Sequence, residues 1–401
     1  MPWLETDVRD QRLQFVVAVR RQHASIAVLC RAFGISRQTG YKWLRREAAA
    51  GSLAALGDRS RRPHHSPART DPQTTARVVA ARDHFGWGGA KLAHVLAAEG
   101  IHLAPRTIDR IIQREGRTRT DVAPTAAPHR FERRAPNELW QMDAKGAYPL
   151  APGGRCHPLS ILDDHSRFAV GLYALPTLST ALVQPALIAC FRRYGVPRAM
   201  LMDHGTPWWA TASADGLTTL SVFLLKQGIQ LLYGAVRHPQ TQGKVERFHR
   251  TLGERLRWHG VPRTLAAFVV ALRWFREEYN EVRPHAALEM QPPASRFTPS
   301  PRPYRPVPTR WDYPLGLEIY RVHPNGRIHY RNHAYFVSEA LRGEDVACLP
   351  VADRVLVAYR HMYVRELHLR TRRSVPLLEP VVGAWPTNAP ASAGATLSTM
   401  S

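Results

Sequence analysis

The sequence is poor in the features that stabilise secreted or membrane proteins. Its 401 residues include only four cysteines, Cys30, Cys156, Cys190 and Cys348, without a CxxC pair, which argues against a disulfide framework or a zinc knuckle. No run of about 18 apolar residues occurs, and three acidic residues precede any apolar stretch, so neither a membrane span nor a signal peptide is expected. These absences favour a reducing, cytoplasmic compartment and no membrane partner.

Acidic residues are also scarce relative to basic ones. Lys and Arg total 55 against 32 Asp and Glu, so the formal net charge is +23, and the basic excess extends over every segment of the chain. Only five of these bases are lysines. Arginine forks match phosphate oxygens, and neutralised phosphates release counterions, so we expect a polyanion partner. A solvated basic surface in an arginine-favouring genome is the alternative. Because 44% of the residues are apolar, wholesale disorder is excluded.

Clusters of proline and arginine divide the chain at 57–63, 117–136 and 291–308. We therefore predict several domains in the following order: a helix-turn-helix DNA-binding domain at 1–60, a second helical domain at 70–118, a linker at 119–135, a central domain at 136–297, a Pro-rich linker at 298–316, a β-rich domain at 317–375 and a disordered tail at 376–401.

The first domain has the sequence form of a helix-turn-helix. An apolar stripe with helical spacing predicts its first helix: Ile26, Leu29, Cys30 and Phe33. Gly34 is placed to end this helix and Ser36 to cap the next. Tyr41 and Leu44 are predicted to face inward. The outer face of the second helix is expected to contact base edges and phosphates through Arg37, Gln38, Lys42, Arg45 and Arg46. An ordinary basic helical hairpin is the alternative.

The second domain is predicted to contain three helices, at 75–84, 90–98 and 105–114, with Pro105 in the first turn of the last. Arg106, Arg110 and Arg114 would form a basic stripe on that helix. The stripe indicates a second DNA-binding module, of winged-helix or helix-turn-helix type, with Arg106 and Arg110 on the DNA. A purely structural linker domain is the alternative.

From residue 139 onward, short apolar strands alternate with helices. We predict strands at 139–148, 157–162, 168–173, 199–202 and 229–233, and helices at 179–194, 217–227 and from 244 onward. This alternation is typical of an α/β layered fold.

Three acids stand out by position in this region. Asp143 lies within the first strand, Asp203 follows the strand at 199–202, and Glu246 lies one turn into the last helix. Taken singly, such acids more often cap or pair than catalyse. Together they suit phosphoryl transfer on DNA, because a few carboxylates can hold the two divalent ions that this chemistry uses. The bases around Glu246 are expected to hold phosphates beside these ions: Lys244, Arg247 and Arg250.

Four segments resemble the integrase catalytic core of bacterial insertion-sequence transposases. They are LWQMD at 139–143, LDDHSRF at 162–168, DHGTPW at 203–208 and HPQTQGKVERFHRTL at 238–252. Residues 279–285 and 293–294 are similar to the closing motif of that core. The resemblance therefore runs from about 135 to 297, and the helical and β-rich flanks are similar to the flanking modules of such transposases.

The resemblance implies an RNase H-like α/β core, with a mixed five-stranded sheet and flanking helices, in which Asp143, Asp203 and Glu246 match the DDE metal-binding triad. It implies two Mg²⁺ ions per active site, with Mn²⁺ as a substitute. The implied partners are double-stranded DNA, at element ends and target, and further copies of the chain in a dimer or higher multimer on the nucleoid. The implied enzyme is a DDE transposase that cleaves DNA and transfers 3′-hydroxyl ends. A catalytically idle DNA-binding protein, a repressor or a domesticated factor, is the alternative.

The sequence departs from the family pattern at two points. His204 stands where asparagine usually follows the second aspartate, and 42 residues separate Asp203 from Glu246, more than in the retroviral type. The extra length lies at about 208–217. Asp163 and Asp164 are competing metal ligands, which we interpret as turn formers between two strands.

Several other side chains in the core have open interpretations. His165, His238 and His249 match no compact zinc ligand set. Trp208 and Trp209 stack on a DNA base or, equally, pack under the loop.

The β-rich region is predicted to form a small antiparallel barrel, with turns at Asn325–Gly326 and Gly343. Its arginines are expected to hold DNA phosphates without reading sequence: Arg321, Arg327, Arg331, Arg365, Arg370, Arg372 and Arg373. A protein–protein module that joins protomers is the alternative.

Overall fold

The computed structural model describes residues 7–58, 69–118, 132–210, 216–233 and 243–381. The chain divides into two compact units, residues 1–71 and 72–401. Most of the linker predicted at 119–135, and the part of the predicted tail beyond residue 381, lie outside the described residues. All four cysteines are buried free thiols, as predicted. No helix in the described ranges is long and apolar enough to cross a membrane.

The first unit contains helices α1 (Val8–Arg20), α2 (Ile26–Ala32) and α3 (Arg37–Ala50). Two sequence signals are confirmed here: Gly34 follows α2 at φ 60°, and the Ser36 side chain accepts a hydrogen bond from the Thr39 N–H at 3.1 Å. Gly40 allows α2 and α3 to approach closely, because a Cβ there would lie 2.7 Å from the Cys30 sulfur.

One prediction for α3 is wrong, because Tyr41 does not face inward. Its side chain is 47% exposed, whereas Gly40 and Trp43 are buried and Leu44 is half-buried. A helix turns about 100° per residue, so a buried face at 40, 43 and 44 leaves position 41 outside.

The second unit begins with the three helices predicted for the second domain. They are α4 (Pro72–Phe85), α5 (Gly89–Ala98) and α6 (Pro105–Arg114), and Pro105 lies in the first turn of α6 as expected. We call these helices the second helical module. Their core is formed by apolar side chains including Val78, Trp87, Leu92 and Ile108.

The central region forms the predicted mixed sheet. Its strands are β1 (Leu139–Ala144), β2 (Tyr148–Pro149), β3 (Arg155–Asp163), β4 (Ala169–Leu175), β5 (Ala199–Met202) and β6 (Gln230–Tyr233). The five longer strands lie in the order β4-β3-β1-β5-β6, and the short β2 also pairs with β3. Strands β1, β5 and β6 are parallel, whereas β3 is antiparallel to β1 and to β4.

Helices cover both faces of this sheet: α7 (Thr180–Tyr194), α8 (Thr219–Lys226), α9 (Gly243–His259) and α10 (Leu265–Glu281). Side chains alternate between the faces of a strand. Trp140 and Met142 of β1 therefore pack in the same cluster as α7 and α8, whereas Leu162 of β3 packs in a second cluster with α9 and α10. The result is a three-layer α/β/α core.

The predicted C-terminal barrel is wrong. Strands β7 (Glu318–Arg321), β10 (Asp345–Val351), β11 (Arg354–Tyr359), β12 (Met362–His368) and β13 (Arg373–Pro380) form an open sheet in the order β13-β12-β11-β10-β7. Strands β8 (Arg327–Tyr330) and β9 (His333–Phe336) form a separate pair. The turn at Asn325–Gly326 joins β7 to β8, which belong to different sheets, and the hairpin turn lies instead at Arg331–Asn332, both at positive φ.

The open sheet does not close on itself because the core covers its apolar side. Val346, Val355 and Met362 belong to the same continuous apolar cluster as Leu224 of α8 and Leu231 of β6. At this junction, the Leu231 N–H donates to the Met362 sulfur at 3.4 Å. The Pro-rich segment at 298–316 also lies along the core, where the Asn137 amide donates to the Thr298 carbonyl at 2.7 Å.

Candidate active site and nucleic-acid interface

The register of β1 and β5 brings two of the three candidate acids together. Gln141 of β1 pairs with Leu201 of β5. Continued for two residues, this register places Asp143 near the end of β1 level with Asp203, which directly follows β5, and neighbouring strands lie about 4.8 Å apart. Because side chains alternate between the two faces of a strand, both carboxylates point to the same face as Gln141. Gln141 pairs with Leu162 of β3, which packs with α9, so this is the face that α9 covers.

The third acid, Glu246, is exposed in the first turn of α9. The three acids interact electrostatically at Asp143. Burial is the main reason why the pKa of Asp143 rises to about 6, and the negative charges of Asp203 and Glu246 add to the rise. The hydrogen bond from the Ala144 N–H to Asp143 Oδ1 opposes it. The structure therefore brings the three sequence-predicted acids into one electrostatic neighbourhood.

Asp203 is held in place from one side. Its Oδ1 accepts a hydrogen bond from the Gly205 N–H at 2.9 Å and another from the Trp208 indole. Trp208 is only 2% exposed, so packing under the loop is the correct interpretation for it, whereas Trp209 is half-buried with its ring centroid 4.6 Å from that of His204. Since both bonds use Oδ1, Oδ2 keeps its capacity for another ligand.

The donor set fits a divalent cation by its chemistry. Three carboxylates around a strand end offer the hard oxygen ligands that Mg²⁺ prefers, and a cation there would relieve the repulsion that raises the pKa of Asp143. In the described ranges, however, no three His, Cys, Asp or Glu side chains are grouped closely enough to hold a metal ion. The three acids are therefore candidate ligands whose carboxylates lie too far apart in this structure to coordinate one ion together.

His249 and Lys145 also lie beside Asp143, which sequence reasoning did not predict. The His249 Nδ1 is 3.6 Å from Asp143 Oδ2, and its Nε2 lies 2.9 Å from the Ser160 hydroxyl. Burial, with the nearby Lys145 charge, lowers the pKa of His249 to about 4, so its ring is neutral near pH 7. The strand period of two, counted on from Asp143, is the sequence signal that could have identified Lys145.

The turn interpretation of Asp163 and Asp164 is confirmed. Asp163 accepts hydrogen bonds from the Ser166 N–H and hydroxyl and from the Asn137 N–H. Asp164 is fully buried and accepts from the Gln141 amide at 2.8 Å. It also pairs with Lys244, whose Nζ lies 2.5 Å from Asp164 Oδ1, so Lys244 is engaged within the protein. His238 lies outside the described residues.

Most side chains predicted to bind DNA are exposed. On α3 these are Arg37, Gln38, Lys42 and Arg45; on α6 they are Arg106 and Arg110; on α9 they are Arg247 and Arg250. Arg46 instead lies over the Trp43 ring at 5.0 Å. The phosphate contact expected for Arg365 is wrong, because this side chain is 1% exposed and lies over the Phe336 ring at 5.1 Å.

The second helical module is fixed to the helix that carries Glu246. The last carbonyls of α4 have no partner within the helix, and side chains near the end of α9 donate to them. The Trp258 indole donates to the Asp83 carbonyl at 2.9 Å, and Arg255 donates to the His84 carbonyl at 2.5 Å. A cation at a helix C-terminus is also favoured by the helix dipole.

Comparison with known families agrees with this arrangement. A helix-turn-helix domain family matches residues 11–64, and a homeodomain-like domain family matches residues 39–112. Two integrase core domain families match residues 133–239 and 227–293. The two integrase matches together include Asp143, Asp203 and Glu246.

Two curated relatives come from insertion elements. An uncharacterised 31.7 kDa protein of insertion element IS407 of Burkholderia multivorans is 28% identical over 250 residues, which cover 59% of this chain and 85% of that protein. An uncharacterised 39.2 kDa protein of insertion element IS476 of Xanthomonas euvesicatoria is 30% identical over 162 residues. That alignment covers 40% of this chain and 44% of the relative, less than half of its length.

Solved structures with similarity include two integrase catalytic core domains. The domain of HTLV-2, solved in complex with magnesium, aligns over 41% of this chain and 97% of that chain, with 14% identity and a TM-score of 0.32. The integrase catalytic core domain of BIV aligns over 40% of this chain and 92% of that chain, with 23% identity and a TM-score of 0.31.

Proposed function

We propose that this chain, which belongs to the insertion-sequence transposases with an integrase-type catalytic core, binds the ends of a mobile element, cuts the DNA there and joins the 3′-hydroxyl ends to target DNA. The observation that carries the proposal is the register of β1 and β5, which aligns Asp143 with Asp203 on the face covered by the helix of Glu246. The proposed assembly includes more than one copy of the chain on DNA.

Each part of the site has a task in this proposal. Asp143, Asp203 and Glu246 would hold two Mg²⁺ ions, which when bound would supply activation of the attacking oxygen and stabilisation of the leaving one. Trp208 and the Gly205 N–H fix Asp203 through Oδ1, so that Oδ2 is directed to the ligand. The exposed Arg247 and Arg250 hold phosphates beside these acids. The exposed faces of α3 and α6 bind the element end.

The test uses charge-neutral replacements of the three acids in the full-length protein: Asp143→Asn, Asp203→Asn and Glu246→Gln. The substrate is a duplex with the sequence that borders the gene. We expect each variant to cut and join this duplex roughly a thousandfold more slowly in Mg²⁺ or Mn²⁺, since several kcal/mol of transition-state stabilisation are lost. Binding, measured by gel shift in EDTA, should stay near that of the wild type.

The matched control is Glu277→Gln, which removes an exposed carboxylate of α10 and should leave both activities unchanged. Full activity in any one of the three variants would show that this acid is not a ligand. Binding of the element end by a wild-type protein that never cuts it would instead favour the idle DNA-binding protein.

A further inference from the structure

A second group of charged side chains, from α5, α9 and the segment after α10, interacts electrostatically. Its cations are Lys91 in the first turn of α5, Arg247 next to Glu246 on α9, and Arg283 just beyond α10. All three act electrostatically on the ring of His285, together with Arg167. The guanidinium of Arg283 lies over the Trp87 ring at 5.5 Å, which connects it to the second helical module.

These cations have few anionic neighbours. Arg167 pairs with Glu132, and Glu278 pairs with Arg255. Glu254 acts on both Lys91 and Arg283, and Glu278 also acts on Arg283. Lys91 and Arg283 are half-buried, and within the described part of the chain their backbone N–H groups donate to the Gly88 and Glu278 carbonyls, whereas their side chains form neither a hydrogen bond nor an ion pair. The buried Nε2 of His285 also has no hydrogen-bond partner in the described structure.

A group of partly buried cations without anionic partners lowers the stability of the protein when no ligand is bound. Partly buried charges are normally paired, and an arginine carries five N–H donors that need acceptors. Burial and the charges of Arg283 and Arg247 lower the pKa of Lys91 to about 7, while Glu254 opposes the shift. An anion placed among these side chains would accept their hydrogen bonds and favour the charged form of Lys91.

We propose that Lys91, Arg247 and Arg283 form a binding site for one backbone phosphate of DNA, shared between the second helical module and the catalytic core. The proposal rests on the proposed function, because DNA is the partner that supplies the phosphate. Arginine matches the paired oxygens of a phosphate, and lysine acts as a point charge beside it. Since Arg247 directly follows Glu246, the bound strand would be held next to the catalytic acids.

The experiment measures DNA binding by the full-length protein in EDTA, where no cleavage occurs, by fluorescence anisotropy over a range of salt concentrations. The probes are the duplex that borders the gene and a scrambled duplex of equal length. We expect Arg283→Gln to weaken binding to both probes by the same factor and to lower the log–log salt slope by about 0.9, the value for one phosphate contact. Lys91→Gln should lower the slope in the same direction, and Arg283→Lys should restore part of it.

The control variant is Arg263→Gln, which removes the same charge from an exposed position just before α10, about 25 Å away along that helix. Its slope should equal that of the wild type. Thermal unfolding without DNA gives an independent measure: relief of repulsion within the cluster should leave the Tm of Lys91→Gln and Arg283→Gln unchanged or raised.

A lower Tm with an unchanged slope in both variants would show that these side chains only support the fold, and would overturn the phosphate site. Equal slopes in all variants of a protein that cuts DNA would overturn the phosphate site alone. Lower slopes in Lys91→Gln and Arg283→Gln, together with a wild-type protein that never cuts DNA, would overturn the proposed catalysis and leave the phosphate site standing.

Discussion

The two helical modules are built alike and attached differently. Both contain three helices around a small apolar core, and both carry exposed basic side chains on their last helix. Helices α1 to α3 belong to a compact unit of their own, whereas α4 to α6 belong to the same unit as the catalytic core. The second module owes this attachment to α9, whose side chains donate to the end of α4.

The difference indicates a division of tasks between similar modules. A module that forms its own unit can recognise a DNA sequence without constraint from the active site. A module bonded to the helix of Glu246 moves with that helix, so DNA bound to it, as proposed above, would have a defined path relative to the three acids. Breaking the attachment should therefore affect the two modules unequally.

The largest effect is expected from Arg255→Ala. Arg255 is 5% exposed, donates to the His84 carbonyl and pairs with the buried Glu278, so its removal leaves an uncompensated buried charge. Loss of one partner of a buried pair costs about 3–5 kcal/mol, which should appear as a lower midpoint of urea unfolding. Arg257→Ala, at an exposed position of the same helix, is the control. A loss below about 1 kcal/mol would show that the attachment depends little on this pair.

A smaller and more local effect is expected from Ser36→Ala in the first module. The Ser36 side chain caps α3 through the Thr39 N–H, and loss of such a cap costs about 1 kcal/mol. Amide hydrogen exchange should become faster in α3 and stay unchanged in α4. Ser25→Ala is the matched control, because Ser25 occupies the N-cap of α2 without a side-chain capping bond. An equal increase of the hydrogen-exchange rate in α3 and α4 would contradict the separation of the two modules.

The smallest effect is expected when the pH is lowered, which should weaken the attachment of the second module to the core. Burial and the charge of Arg255 lower the pKa of both His84 and His259, so the folded form binds a proton less readily than the unfolded form. The stability of the attachment is therefore complete above the ordinary histidine pKa of about 6.5 and falls as the pH drops below it. Hydrogen exchange of α4 should accelerate on acidification. The double variant His84→Gln and His259→Gln should lose this response, and an unaltered response would exclude these rings as its cause.

Local patterns predicted the elements of this fold well. The strand at 199–202 and the helix at 105–114 have the predicted bounds, and Ser36 caps α3 as its position indicated. The predicted strands placed Asp143 within the first strand and Asp203 just after the strand at 199–202, and these two strands are parallel neighbours in the sheet.

Contacts between distant parts of the chain could not be predicted in this way. The neighbourhood of Lys91 and Arg283 depends on how α5 packs near the end of α10, and no periodicity links residues so far apart. The barrel prediction failed for the same reason, since alternation in β10 to β13 fixes which side is apolar but not what covers it. The burial of Arg365 is a further contact of this kind, since its side chain packs over the Phe336 ring of β9.

Because the C-terminal sheet covers part of the core, the core can complete its folding only late in synthesis. Leu231 of β6 contacts Met362, which leaves the ribosome 131 residues later. Until then, the apolar side of α8 and β6 has no cover, and exposed apolar surface of this kind favours aggregation. The integrase-like core therefore completes its folding only when nearly the whole chain has been made. A premature stop codon before β10 should yield insoluble protein rather than a smaller folded one.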